Sequence, residues 1–311
     1  RARILAQAGQ AAEARALLHE CAARVPFHYY ALLARARLAE LSEPLPPLPS
    51  PSRGTPPPLL RDPVVSRAYE LAHAGLDVEA GAELERGEAG LIKRHGKAKA
   101  VPFLLATYPQ LFAFHRAYKL AETSGESVLG DTRLVWAASY PLAFAASVER
   151  HGKAMDVPEL FIYAIMRKES TYHPYAVSPA DARGLLQLIP NTAAEVAKHL
   201  DLPAYPDELF DPDTNIRLGT AYLGGLLRRF RGQEALAAGA YNAGARAMMR
   251  WCDQWNGRPL DEFVELITYD QAREYIKRVL GVYARYRHFY GQPQELSLTV
   301  NTQYLKDGFD F

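Results

Sequence analysis

Cysteine is scarce in this chain. Among 311 residues there are two, Cys21 and Cys252, in apparently different domains. A disulfide framework is thereby excluded. The pair reads as two buried free thiols, with a single inter-domain bridge as the alternative. Nine histidines occur without an HExxH pair or other ligand spacing, so no metal and no cofactor is expected. An excess of one charge is also missing: 36 Lys and Arg stand against 35 Asp and Glu, a net charge of +1. That balance gives no electrostatic ground for a nucleic-acid partner, although a local basic groove stays open. No apolar run is long enough to span a bilayer, so no transmembrane segment is expected. The chain opens at Arg1 inside a helical pattern, as a fragment or a processed form would, and an export signal is expected to lie outside it.

What is present is an ordinary folded composition, 49% hydrophobic and 23% charged, in a chain long enough for more than one domain. Residues 1–43 are Ala- and Leu-rich segments punctuated by Gly9 and Pro26, the texture of stacked helix pairs in an α-superhelical arm. Residues 44–63, PLPPLPSPSRGTPPPLLRDP from Pro44 onward, carry too much proline for a helix interior and predict an extended linker. Helical patterning returns over 64–150, read as about four helices of a linker domain, one of them spanning AVPFLLATYPQLFAFHRAYKLAET. Residues 151–290 form a further, almost wholly helical domain with at most a small hairpin between Tyr175 and Leu188. There Thr192 and Glu195 have capping-box spacing, and Asp211-Pro212 opens another helix. Residues 291–311 form a tail whose aromatic residues suit packing back on the body. The fold class predicted is all-α.

The stretch VPELFIYAIMRKES, residues 157–170, concentrates the chemistry. Pro158 suits a first helical turn, and Phe161, Ile165 and Met166 share a side. Glu169 falls on that side, four residues after Ile165. A carboxylate on an apolar face, at the negative end of a helix dipole, is held protonated, as a general acid requires. A solvated glutamate at a helix end is the plainer alternative.

The motifs that follow carry a resemblance. Glu169-Ser170, the Ser178-Pro179 step, GLLQLIP at 184–190 and AYNAG at 240–244 stand in an order and spacing similar to that of the soluble lytic transglycosylases of bacteria. The resemblance covers roughly 140–290. It implies a lysozyme-like catalytic domain behind the α-superhelical part. It also implies peptidoglycan glycan strands as substrate, cleavage without water to 1,6-anhydromuramyl ends, and a single glutamate, Glu169, as acid then base. A location in the periplasm or bacterial cell envelope follows, as do other cell-wall enzymes as partners of the arm.

Residue by residue, the resemblance assigns substrate contacts to Ser178, to Leu186 and Gln187 of GLLQ, to Tyr241 and Asn242 of AYNAG, and to Gln271 and Tyr275 in the last helix. Leu186 stands where the family has methionine, and would offer a sugar ring an apolar surface. Tyr241 would lie near Glu169 or the substrate acetamido group, with a structural hydrogen bond as the alternative. Gln271 is neutral where the family has glutamate, and Asp181 replaces a usual glycine. Asp181 is the only acidic residue between Glu169 and Glu195. It reads either as a second carboxylate, for a hydrolytic muramidase, or as a turn former. A non-catalytic peptidoglycan-binding scaffold is the third possibility.

Overall fold

The computed structural model describes residues 1–203 and 205–306; the aromatic residues Phe309 and Phe311 of the tail lie outside them. Among the described residues there is no strand; of three isolated bridges, two, Val177 to Arg183 and Arg183 to Leu188, are the whole of the expected hairpin. The chain forms two compact units. One comprises residues 1–49, 147–169 and 176–311, the other 50–146 and 170–175.

In the first unit the helix Glu159–Ser170 is the buried element. The sequence predicts one apolar side, but Leu160 through Met166 are all buried, five of them with no exposed surface at all. A helix apolar all round belongs inside the core. Pro158 precedes the helix, its carbonyl accepting from the amides of Phe161 and Ile162 at 2.9 and 3.2 Å. The last helix, Asp270–Phe289, buries Tyr275, Tyr283 and Tyr286, so its tyrosine stripe is core.

Helix starts show which local signals prevailed. Asp211 caps the helix Pro212–Arg229, accepting from the Thr214 amide at 2.8 Å. The expected capping box fails: the helix Pro190–His199 begins two residues before Thr192, which therefore sits inside it, and no side chain caps it. Proline's fixed φ at the first position outweighed the weaker Thr–Glu signal. A short helix, Leu260–Leu266, adds an element that the sequence pattern does not announce.

The N-terminal helices Ala2–Gln7, Ala11–Arg24 and Tyr29–Glu40 pack in succession. The sequence predicts that they end an arm of their own, yet they fall in the same unit as Glu169. Polar contacts explain the grouping. Buried Arg35 donates to both oxygens of Glu295 in the tail, at 3.1 and 2.7 Å. Arg37 reaches Asp261 at 2.9 Å, and the Tyr29 hydroxyl donates to the Leu260 carbonyl at 3.3 Å. The tail does return to the body: the Leu305 amide donates to the Arg229 carbonyl at 2.9 Å, and the Tyr304 hydroxyl to Asp253 at 3.0 Å. Both cysteines are free thiols; Cys252 is buried, Cys21 only half so.

The second unit packs Leu84, Leu91, Val101, Leu104 and Tyr108 into its own core. The long helix read over AVPFLLATYPQLFAFHRAYKLAET is broken. Lys97–Thr107 is followed by a 3-10 turn, Tyr108–Leu111, containing Pro109; Phe112 turns left-handed (φ 54°) before Phe114–Leu120 resumes. The proline-rich segment is extended, as expected, and held by Ser52, whose amide and carbonyl bond to Asp131 and Arg133 at 2.9 and 2.8 Å.

Its end is fixed by Asp62, which caps Pro63–His73 through the Val64 amide at 3.0 Å and meets Arg94 at 2.7 Å and His95 at 3.0 Å. The Arg94 hydrogen bonds hold the Asp62 carboxyl down at about 2, with the Val64 amide and His95 helping against the opposing effect of burial. A depressed carboxylate stabilises above its unfolded pKa of about 3.9, and that contribution is lost as pH falls through 2. Asp62→Ala is therefore expected to cost about 1–2 kcal/mol at pH 7 in urea unfolding. The deficit should shrink between pH 4 and 2; a deficit constant with pH would show that the carboxylate's charge is not what stabilises.

Candidate active site

Glu169 is the next-to-last residue of Glu159–Ser170, so its position is inherited from the buried body of that helix. The residue is half-buried, with its carboxyl group crowded by protein. The Tyr275 hydroxyl donates to Glu169 Oε1 at 2.5 Å, and the Lys168 ammonium lies 5.4 Å from the centre of the Tyr275 ring. Burial raises the Glu169 carboxyl above its ordinary value, opposed first by the Tyr275 hydrogen bond and then by the Lys168 charge. Tyr275 is itself pushed well above the ordinary phenol range by burial, by the charge of Glu169 and by their shared hydrogen bond, so it stays a donor. The expectation of a partly buried glutamate with its proton affinity raised thus has a geometric basis.

The loop after the helix is built from backbone hydrogen bonds. Gly184 donates to Ala176 at 2.9 Å, Ser178 to Ala182 at 2.9 Å, and Arg183 and Leu188 exchange bonds at 2.9 and 3.1 Å. Gly184 has φ +76°, and a Cβ there would stand 2.1 Å from the Leu209 carbonyl oxygen and 2.3 Å from Asn215, so no other residue fits. Asn215, fully buried near the start of Pro212–Arg229, accepts from the Leu186 amide at 2.8 Å. It also donates to the carbonyls of Arg183 and Leu209 at 3.0 and 2.9 Å. One side chain so satisfies three backbone groups, those of Leu186 and Leu209 in buried bonds. Sequence reasoning missed it, because an asparagine early in a helix carries no mark of burial.

The expected contact residues fall as follows. Ser178 Oγ accepts from the amides of Ala180 and Ala182 at 3.2 and 3.1 Å, shaping the turn. The Gln187 amide nitrogen donates to the carbonyls of Ala176 and Gly184, both at 3.0 Å, and its backbone is left-handed. Leu186 departs from expectation. Its side chain has no exposed surface, and Gly219 lies so close that a Cβ there would stand 2.4 Å from Leu186 Cδ1. It fills the core rather than facing a sugar, and what it offers the site is its carbonyl, which accepts from the Tyr241 hydroxyl at 2.7 Å. Tyr241 thus makes the structural hydrogen bond left open above, its ring centre 5.1 Å from that of Tyr222. Burial and the charge of Glu169 push its phenol well above the ordinary range, which puts it in the same electrostatic neighbourhood.

Asn242 is half-buried beside it at the end of Glu234–Ala243, before Gly244 (φ +84°) turns the chain. Gln271 is exposed one helical turn before Tyr275, on the same face. Asp181 is exposed, with left-handed backbone (φ 59°), and takes the Arg183 guanidinium at 2.9 Å. That is the geometry of a turn former. The nearby charge that lowers the Glu169 carboxyl is that of Lys168.

The raised carboxyl has a consequence that can be measured. A carboxyl raised in the folded state destabilises it once pH exceeds the unfolded pKa, and the penalty grows until the folded pKa is passed. A tenfold difference in proton affinity between the folded and unfolded chain amounts to about 1.4 kcal/mol. Glu169→Gln should therefore melt as the parent does near pH 4, and at higher temperature than the parent by pH 7. Tyr275→Phe, which removes a bond to the ionised form, should widen that gap. A Gln variant no more stable at pH 7 would mean that burial does not hold the proton.

Comparison with known proteins bears directly on this geometry. Residues 147–263 match the transglycosylase SLT domain family. The soluble lytic murein transglycosylase of Salmonella typhimurium is 32% identical over 298 residues, covering 94% of this chain and 44% of the relative. The 70-kDa soluble lytic transglycosylase of Escherichia coli superposes with a TM-score of 0.70 at 25% identity, over 97% of this chain and 47% of that one. An inactive mutant of the lytic transglycosylase Slt from Pseudomonas aeruginosa, with glutamine in place of one glutamate, superposes with a TM-score of 0.66 at 26% identity, over 98% and 48%. The chain thus spans about half the length of the relatives it matches. The domain match takes in the Glu169 helix, the loop after it and Tyr241, with Tyr275 lying beyond it, so the chain carries a transglycosylase SLT domain and is similar to the soluble lytic transglycosylases over nearly its whole length.

Proposed function

We propose that the chain cleaves the β-1,4 bond between N-acetylmuramic acid and N-acetylglucosamine in peptidoglycan, without water, with Glu169 as acid and then base. The observation that carries this reading is one raised, crowded carboxyl held by Tyr275, while Asp181, the other acidic candidate, is exposed and taken by Arg183. Glu169 gives its proton to the glycosidic oxygen as the bond to the muramyl anomeric carbon breaks. Positive charge then develops on that carbon, and the substrate's own acetamido group helps to carry it. The ionised Glu169 takes the proton of the muramyl C6 hydroxyl, whose oxygen closes on the anomeric carbon. Atoms balance with no water consumed, and Glu169 ends protonated again. An internal nucleophile has a high effective concentration, so none need be supplied by the protein.

The chain's other groups serve that cycle. Tyr275 steadies the carboxylate in the half-cycle where it is ionised, while burial favours the half-cycle where it is not. Exposed Gln271 and half-buried Asn242 are free to meet the sugar, whereas Ser178 and Gln187 act chiefly by holding the loop that borders it. A relative made inactive by a Glu-to-Gln change accords with a mechanism that rests on one glutamate. We place the activity in the bacterial cell envelope, where the polymer is. Among the described residues no helix is long and apolar enough to cross a membrane.

Mass spectrometry of the soluble products from purified peptidoglycan tests the reading. Products one water lighter than reducing muropeptides are expected. Glu169→Gln should lower release about 10³-fold with glycan binding kept. Reducing ends would instead establish hydrolysis, and undiminished release by the Gln variant would remove Glu169 from the chemistry.

A further inference from the structure

At the other end of the Glu169 helix lies a cleft that the chemistry above does not use. It is about 660 Å³, within the range of about 300–1,000 Å³ typical of small-ligand sites, and all its lining belongs to the first unit. Glu159 on its wall is ten residues from Glu169, roughly 15 Å along the helix. The lining carries both signs of charge: Lys153 and Arg228 against Asp156, Glu159 and Glu234. Buried Tyr283 forms part of its floor, beside Leu160 and Leu227.

The charges are not neutralised by one another. Among the described residues, Lys153, Asp156, Glu159 and Glu234 make no ion pair within 4.0 Å, although they share one cavity. Helix ends explain how they are held apart. Lys153 sits in the last turn of Ala145–Met155, while Glu159 and Glu234 sit in the first turns of their own helices, each at the pole that favours its charge. Three helix termini therefore present an ammonium and carboxylates across an apolar floor, with their hydrogen-bonding capacity still available.

We propose that this cleft is a second binding site, for a short zwitterionic peptide. The ligand's carboxylate meets Lys153, its ammonium meets Glu159 and Glu234, and a small apolar side chain rests beside Tyr283. Resting on the proposed substrate, the class is the stem peptides of peptidoglycan: their amino end is joined to the sugar, so the carboxylate is the C-terminal one and the ammonium that of a diamino-acid side chain. The site lets the enzyme hold a strand by its peptide independently of the sugar at Glu169, and so favours strands whose peptides are not cross-linked.

Calorimetric titration of the intact chain bearing Glu169→Gln with free stem tetrapeptide, without sugar, tests the site. Saturable binding is expected, weakened about tenfold by Lys153→Met and again by Glu234→Gln, with unaltered melting in both. In the active chain the same two changes should leave cleavage of peptide-free glycan strands unchanged and lower the preference for peptide-bearing ones. No saturable binding at millimolar peptide, or binding indifferent to both changes, overturns the proposal. Peptide binding by a chain that cleaves no glycan would leave this site standing and remove the catalytic reading instead.

Discussion

Burial of one carboxyl group is the constraint around which the first unit is arranged. Glu169 ends a helix whose middle is buried on every side, and a carboxyl carried on such a helix is dehydrated with it. The Tyr275 hydrogen bond, of a kind worth about 1.5–3 kcal/mol to a charged partner, and the nearby Lys168 both pull the other way. Burial wins, and the carboxyl stays above its ordinary value. Without Tyr275 the ionised form would keep only the weaker support of Lys168; with a full ion pair the proton would be held off far more strongly. A neutral donor at 2.5 Å lies between those limits.

The loop at 176–188 shows the same sparing use of polar groups. Its backbone cannot form a sheet, having two isolated bridges within it, so its buried amides and carbonyls need partners from elsewhere. Asn215, Gln187, Ser178 and Tyr241 supply them. Four of the polar positions in and around the family motifs therefore act first on the protein's own backbone. Their influence on a substrate runs through the shape of the loop, and substitution at any of them disturbs that shape before it removes a contact.

Legibility from sequence followed the range of the forces involved. The helices, the extended proline-rich segment and the left-handed glycines at 9, 75 and 244 are local matters, settled by residues a few positions apart. Helical spacing ties Glu169 to Ile165 and Met166 but leaves a solvated helix end as the plainer alternative; the motifs that follow it single it out. What could not be read was tertiary. Leu186 looks like a sugar-facing residue until Gly219 is seen to leave room for it in the core. Tyr275 reads by resemblance as a substrate contact until its hydroxyl is placed on Glu169, 106 residues away in sequence. Thr192 and Glu195 had the right spacing and lost to a proline two residues earlier. The grouping of the N-terminal helices with the Glu169 unit rests on Arg35–Glu295 and Arg37–Asp261, pairs more than 200 residues apart.

A single-glutamate cycle makes demands that a two-carboxylate site does not. The same oxygen atoms must give a proton and then receive one, so the pKa must lie where neither step is prohibitive. A second carboxylate nearby would raise it further and trap the acid form, while a tightly paired cation would trap the base. Asp181 is exposed and joined to Arg183, which removes its charge from the balance. Lys168 acts from beyond the Tyr275 ring rather than as a direct partner. The surroundings left to Glu169 are phenol hydroxyls, Tyr275 in contact and Tyr241 close by, both held protonated by their own burial. Tyr275 can donate to the ionised carboxylate or accept from the protonated one without changing charge itself, which suits the acid-then-base cycle proposed for Glu169.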